Sequence, residues 1–223
     1  MNKKESIQQL VIEQGILPLY YHDSSEISIA VLKALFDAGI RAVEYTNRGE
    51  NALGNFKLLI EAIDNNMPGM QLGIGTIKTT AAAKAFIEAG AGFIICPLID
   101  PAVGEVAHKA GLAWIPGCMT TTEIHSAEVN GATLVKIFPG SVVGPGYISA
   151  IREIFPNLAF MPTGGVDTTA ENLSAWFNNG VCAVGLGSKL ITKKGMEEKN
   201  FGELTSATAT VLQLVKSIKN QQR

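Results

Sequence analysis

Residues 132–139 read ATLVKIFP, and one lysine, Lys136, interrupts a run otherwise made of Leu134, Val135, Ile137 and Phe138. The flanking residues have the character of a buried strand, and a lysine is almost never fully buried without a partner or a function. Glu44 interrupts a second apolar run, AVEYT. Side chains alternate along a strand, so Glu44 shares a face with Thr46, and Lys136 shares one with Leu134 and Phe138. If both faces point inward, an amine and a carboxylate enter one cavity. Desolvation there disfavours an ammonium ion, and a neutral amine is the nucleophile that condenses with a ketone to give a Schiff base. The protonated imine draws electrons from the adjacent carbon, while a carboxylate can shuttle protons during dehydration and carbon–carbon cleavage. Taken singly, Lys136 could be a strand-edge lysine that snorkels to solvent, and Glu44 half of a structural ion pair.

The elements that would position this pair can be read from the apolar pattern. Short apolar runs, expected to be strands, fall at Ile16 to Tyr20, Ala42 to Thr46, Gln71 to Gly75, Phe93 to Cys96, Ala113 to Pro116, Leu134 to Phe138, Ala159 to Pro162 and Cys182 to Leu186. Helical stretches lie between them, among them Glu26 to Ala38 and the alanine-rich Thr79 to Ala89, and glycines such as Gly39 and Gly90 stand where helices should end. Apolar strands alternating with helices imply a parallel sheet covered by helices. Eight repeats predict an α/β protein folded as a single (β/α)8 TIM barrel over 1–223, with residues 1–14 an N-terminal helix; a doubly wound open sheet is the structural alternative. No linker rich in Pro, Gly or Ser divides the chain.

In such a barrel the reacting groups gather at the carboxyl ends of the strands. The polar residues that break the apolar runs fall at those ends: Glu44, Thr46, Asn47 and Arg48 in VEYTNR, Thr76 in GIGT, the CP after the fourth strand, Lys136 in the sixth, PTGG after the seventh and GLGS after the eighth. Gly164-Gly165 and Gly187-Ser188 stand where bare backbone N–H groups can take a phosphate, although any one such pair is also an ordinary tight turn. GIGTIK and GLGSKL each lack the third glycine of a dinucleotide fingerprint, so no nicotinamide cofactor is expected. His22, His108 and His125 are scattered and the three cysteines are far apart, which gives no metal-binding spacing.

Composition bounds the partners. The 223 residues are 47% hydrophobic and 17% charged with a formal net charge of -2, enough for a sizeable core and contrary to nucleic acid or an anionic membrane surface as main partner. No stretch approaches a membrane span or the apolar centre of a signal peptide. Cys96, Cys118 and Cys182 read as reduced thiols of a cytoplasmic protein.

VEYTNR, GIGT, CP, PG, VKIFP, PTGG and GS, in this order and over nearly the whole chain, resemble the 2-keto-3-deoxy-6-phosphogluconate (KDPG) and 4-hydroxy-2-oxoglutarate (KHG) aldolase family. The resemblance implies a class I, metal-independent aldolase without a cofactor, a homotrimer, releasing pyruvate from 2-keto-4-hydroxy acids. It implies Lys136 as the Schiff-base lysine and Glu44 as general acid/base. Arg48 and Thr76 correspond to residues that hold the pyruvyl carboxylate, Pro97 and Phe138 to pocket walls, and Thr163, Gly164, Gly165, Gly187 and Ser188 to the end that takes the substrate phosphate. The chain departs from the family pattern at Leu186, where many members carry glycine, at Lys189, where an apolar residue is expected, and at Tyr45, which alternation sends toward the helices to pack. A phosphate-binding isomerase or epimerase using Glu44 as base, and a sugar-acid binding protein without activity, are the alternatives in other classes.

Overall fold

The structure, a computed structural model, describes residues 3–221. In chain order it contains α1 (Lys3–Gln14), β1 (Ile16–Tyr20), α2 (Ser25–Asp37), β2 (Ala42–Thr46), α3 (Ala52–Asn66), β3 (Gln71–Gly75), α4 (Thr80–Glu88), β4 (Phe93–Ile95), α5 (Pro101–Lys109), β5 (Ala113–Ile115), β6 (Gly117–Cys118), α6 (Thr121–Val129), β7 (Leu134–Ile137), α7 (Gly140–Val143), α8 (Pro145–Ile151), β8 (Ala159–Pro162), α9 (Ala170–Asn178), β9 (Val184–Leu186), α10 (Lys193–Glu197) and α11 (Phe201–Asn220). Four of the expected strands match residue for residue, and α2 and α4 lie within one residue of expectation at each end. Residues 1 and 2 of the N-terminal helix expected over 1–14 lie outside the described residues.

Short polar side chains set the helix starts. Ser24, Thr79, Thr120 and Thr169 each accept a backbone N–H from the first turn of the helix that follows, and Thr120 with Glu123 forms a reciprocal capping box. At the other ends, Gly39 and Gly90 take φ of 103° and 98°, a region that side-chain-bearing residues rarely enter, and the chain turns there toward the next strand.

The strands pair in parallel, but they do not close into the eight-stranded barrel expected from the repeat count. They form a six-stranded sheet in the order β5-β4-β3-β2-β1-β9 and a separate three-stranded sheet, β6-β7-β8. Two prolines explain the gaps. Pro116, the last residue of the fifth apolar run, separates β5, which pairs with β4, from a further short strand beyond that run, β6, which pairs with β7, because proline has no N–H to continue a ladder. Pro162 ends β8, and the link from there to β9 is one isolated bridge, Thr163 to Gly185, above a single Cys182 N–H to Phe160 carbonyl bond.

The inner faces of the two sheets nevertheless share one apolar core. Leu17, Ala42, Phe93, Ile95 and Ile115 from the first meet Leu134 and Met161 from the second, and Ile7 and Val11 of α1 pack into the same cluster at the amino-terminal ends of the strands. A larger layer between strands and helices includes Val43, Tyr45, Phe56, Trp114 and Trp176. Tyr45 faces the helices, as alternation requires, with its ring 5.3 Å from that of Tyr20.

Gln14 joins α1 to the strand starts. Its Oε1 accepts the N–H groups of Arg41 (2.6 Å) and Ala42 (3.0 Å), and its Nε2 donates to the carbonyls of Ile16 (2.6 Å) and Ala42 (2.9 Å). Gln14→Ala leaves four part-buried backbone groups to find other partners, so the unfolding free energy in a urea titration should fall by about 2 kcal/mol. A change below about 0.5 kcal/mol, the range of ordinary surface substitutions, would show that the amide is dispensable.

Candidate active site

Lys136 and Glu44 meet inside the molecule. Lys136 Nζ lies 3.5 Å from Glu44 Oε1, and the residues are 4% and 1% exposed. Alternation puts them there: Glu44 is two residues beyond Ala42, and Lys136 two beyond Leu134, both members of the inner core. Glu44 is flanked in register by Leu19 and Gly73, and Lys136 by Gly117 and Met161. The second carboxylate oxygen, Glu44 Oε2, is buried and has no hydrogen-bond partner among the described residues. A buried acceptor left open in this way is costly in a folded protein. The Phe138 ring stands 5.4 Å from Lys136 Nζ.

Missing side chains make room for the pair. A Cβ at Gly75 would lie 1.8 Å from Glu44 Oε1, so the carboxylate occupies the space that any other residue would fill. Gly73 yields in the same way to the Phe93 ring, and Gly117 to the backbone of Pro97. The next residue after Gly75 is Thr76, which holds φ at 61°. For a β-branched side chain this is a strained conformation, of a kind concentrated at functional sites.

A cleft of about 410 Å³ reaches the pair through Phe138 and Leu19, although Lys136 and Glu44 do not themselves belong to its lining. Of the residues singled out in the sequence, Arg48, Phe138, Thr163, Gly164, Gly165, Gly187 and Ser188 line it. Thr76 and Pro97 do not; they border Glu44 and the Lys136 strand through Gly75 and Gly117 instead. Thr163 is buried with its Oγ1 unpaired among the described residues, above the bare Cα of Gly185. Arg48 is exposed and makes no side-chain hydrogen bond or ion pair among the described residues. Lys189 and Lys193 add two more cations to the lining, and no carboxylate belongs to it. His22, at the same rim, is structural: its Nδ1 accepts the Ser24 N–H and its carbonyl accepts from Ser28, Tyr45 and Asn55.

Tyr21, Lys193 and Met196 of this lining were not legible as site residues. Tyr21 follows β1 directly, and a polar residue just beyond a strand end is the signal that could have marked it. Lys193 opens α10, a five-residue helix with too few turns to show a period.

Burial holds the three thiols in their protonated form. Burial pushes Cys96 up to about 12, with Asp100 and Glu44 adding to the rise and Trp114 and Lys136 opposing it. Burial raises Cys118 and Cys182 to about 12 as well.

A parallel α/β fold with a buried amine and carboxylate face to face beside a cationic cleft has the equipment of a carbon–carbon lyase that works through an imine, a class I aldolase. The chain belongs to the KDPG and KHG aldolase family, whose model matches residues 7–207. It is 31% identical over 191 residues to the 2-dehydro-3-deoxy-6-phosphogalactonate aldolase of Escherichia coli K12, covering 85% of this chain and 87% of that one. It is 34% identical over 172 residues to the 2-dehydro-3-deoxy-phosphogluconate aldolase of Pseudoalteromonas atlantica, covering 75% and 77%. Among solved structures, the KDPG aldolase of Legionella pneumophila, captured with pyruvate as a covalent carbinolamine, superimposes with a TM-score of 0.83 at 26% identity, over 91% of this chain and 96% of that one. No helix among the described residues is long and apolar enough to cross a membrane.

The contact of Gly75 with the carboxylate sets a test of geometry. Gly75→Ala must push Glu44 away from Lys136, and a displacement of about 1 Å at a reacting group costs roughly 10²-fold in rate. The expected result is that loss in kcat with a fold still cooperative by thermal denaturation; unchanged kcat would show that the carboxylate position is not critical. The thiols give a second test. Their folded values near 12 exceed the ordinary 9, so they contribute stability below pH 9 that is lost as pH rises toward 12. At pH 8 the native protein should react with a thiol reagent at under about a tenth of the rate of the urea-unfolded chain.

Proposed function

We propose that the protein cleaves KDPG, or a closely related 2-keto-4-hydroxy acid, to pyruvate and an aldehyde, which for KDPG is glyceraldehyde 3-phosphate. Lys136 is the nucleophile. Its neutral amine adds to the C2 carbonyl of the substrate, and the carbinolamine loses water to give a protonated imine. Glu44 takes the proton of the C4 hydroxyl as the C3–C4 bond breaks; the bonding electrons pass into the imine to form an enamine, and the aldehyde leaves. Glu44 returns a proton to C3, and hydrolysis of the imine releases pyruvate and the amine. The observation that carries this reading is the open, buried Glu44 Oε2 on a carboxylate whose other oxygen is 3.5 Å from the lysine nitrogen. It is a proton acceptor that the fold leaves unsatisfied, beside the only group needed to activate a ketone.

In the same reading, Arg48 and Thr76 hold the pyruvyl carboxylate, a role suited to a guanidinium fork. Pro97 and Phe138 wall the pocket, and Thr163, Gly164, Gly165, Gly187 and Ser188 receive the distal phosphate. The cationic lining of the cleft supports an anionic substrate. Relatives named for the phosphogluconate and phosphogalactonate compounds leave both as candidates, and pyruvate release measured on each in parallel decides the preference. The enzyme is proposed to work as a cytoplasmic homotrimer. The exposed Leu98, Met119 and Val142, which follow β4, β6 and β7, are apolar surface suited to contact another subunit, and three free cysteines fit a reducing compartment.

Incubation with pyruvate and borohydride should leave a stable adduct on the peptide that carries Lys136. Lys136→Arg keeps the charge but cannot form the imine, so turnover should fall by at least about 10³-fold. Substantial activity in that variant, or no mass increase on the peptide, would show that the lysine acts only electrostatically.

A further inference from the structure

The far side of the cleft is built by two loops from separate parts of the chain, Gly164-Gly165-Val166 after β8 and Gly187-Ser188-Lys189 after β9. Beneath them their strands are joined by the isolated Thr163–Gly185 bridge and the Cys182 N–H to Phe160 carbonyl bond. The first loop is anchored: Gly140 N–H donates to the Thr163 carbonyl at 2.8 Å, and the Gly165 Cα packs against Ser141 so closely that a Cβ there would lie 2.6 Å away. The second loop is tied mainly to itself, through the Leu190 and Ile191 N–H groups on the Gly187 carbonyl.

One ion pair crosses between them among the described residues. Lys189 Nζ stands 3.2 Å from Asp167 Oδ2. Asp167 is fixed to the first loop from several directions. Its carboxylate accepts the Thr168 N–H at 2.6 Å, its own N–H donates to Asn172 Oδ1 at 2.8 Å, and Asn172 Nδ2 reaches back to the Gly165 carbonyl at 3.4 Å. These contacts hold the Asp167 carboxyl below its usual range, the Thr168 N–H most of all and then Lys189. The carboxylate therefore presents a fixed anionic point on the anchored loop, and the lysine of the freer loop closes on it.

We propose that Asp167 is a positioning residue: by holding Lys189 it staples the two glycine loops and sets the spacing of the backbone N–H groups that take the distal phosphate. The proposal rests on the assignment of that end of the cleft to the phosphate given above. The partners are 33% and 64% exposed at the side chain, and a solvated pair of this kind adds little to folding. Its effect belongs to binding, because a loop held at the right distance need not be ordered again when the anion arrives.

The test compares pyruvate release from phosphorylated and unphosphorylated forms of the same 2-keto-3-deoxy sugar acid. Asp167→Asn and Lys189→Met should each raise KM for the phosphorylated form about three- to fivefold, the range of one exposed ion pair. For Asp167→Asn, kcat and the KM for the unphosphorylated form should stay within about twofold of the parent. The double variant should be no worse than either single one, and Asp167→Glu should restore the parent KM. A lower KM in Asp167→Asn would overturn the proposal, since it would show that Lys189 touches the phosphate itself and that Asp167 competes for it. An unchanged KM in a parent that prefers the phosphorylated form would overturn the staple alone. A parent that takes both forms equally would overturn the phosphate assignment and the staple with it. Melting temperatures are measured alongside, and if Asp167→Asn fails to fold, Asp167→Ser takes its place, with a raised KM for the phosphorylated form expected and a lowered or unchanged one overturning the staple.

Discussion

An amine and a carboxyl group, each almost fully withdrawn from water, face one another at 3.5 Å in the interior of this protein. A buried pair of this kind seldom repays its own desolvation, and well-packed apolar residues in its place are often at least as stable. Much of the surrounding structure can be understood as accommodation of Lys136 and Glu44. Gly75 is bare because the carboxylate lies where its side chain would be, Gly73 is bare to admit Phe93, and Gly117 is bare against Pro97. Thr76 keeps a backbone conformation that a threonine avoids, immediately beside the same carboxylate. These positions place bare glycine and backbone strain around a group of chemical use, which is where proteins tolerate them.

The molecule has a closed end and an open one. At the amino-terminal ends of the strands, α1 inserts Ile7 and Val11 into the inner core, and Gln14 satisfies the strand starts. At the carboxyl ends the loops carry Arg48, Lys189 and Lys193 around a cleft that has no carboxylate in its lining. Apolar burial is concentrated at the first end and cationic groups at the second. Strand pairing is also sparse beside the cleft, where among the described residues the Thr163–Gly185 bridge and the Cys182 N–H to Phe160 carbonyl bond join the segments of β8 and β9. Interrupted pairing leaves the Thr163 hydroxyl and the glycine loops free to face the cleft, and side-chain contacts there take over part of what a continuous ladder would supply.

The legible parts of the chain were those governed by local rules. Four strands could be bounded to the residue because apolar runs between polar caps have few other readings. The inward placement of Glu44 and Lys136, and the outward one of Tyr45, followed from alternation alone. Barrel closure was not legible. Eight repeats counted along the chain imply a ring only if each strand can bond both neighbours, and Pro116 and Pro162 remove donors at two places where that condition is decided. Both prolines stand at the ends of apolar runs, but the effect of a missing N–H depends on which neighbour it would have met.

The sequence by itself determined the alternation of strand and helix, the two charged residues on inner faces, and the motifs that resemble the KDPG and KHG aldolases. These are properties of short segments, where covalent geometry and side-chain type leave little choice. Tertiary structure alone decided that the sheet is split in two and that Arg48 stands in the same cleft as the glycine loops. It alone brought Asp167 within 3.2 Å of Lys189 and left one oxygen of Glu44 without a partner among the described residues. Each of these depends on which residues distant in the chain become neighbours, and that follows from packing the whole core.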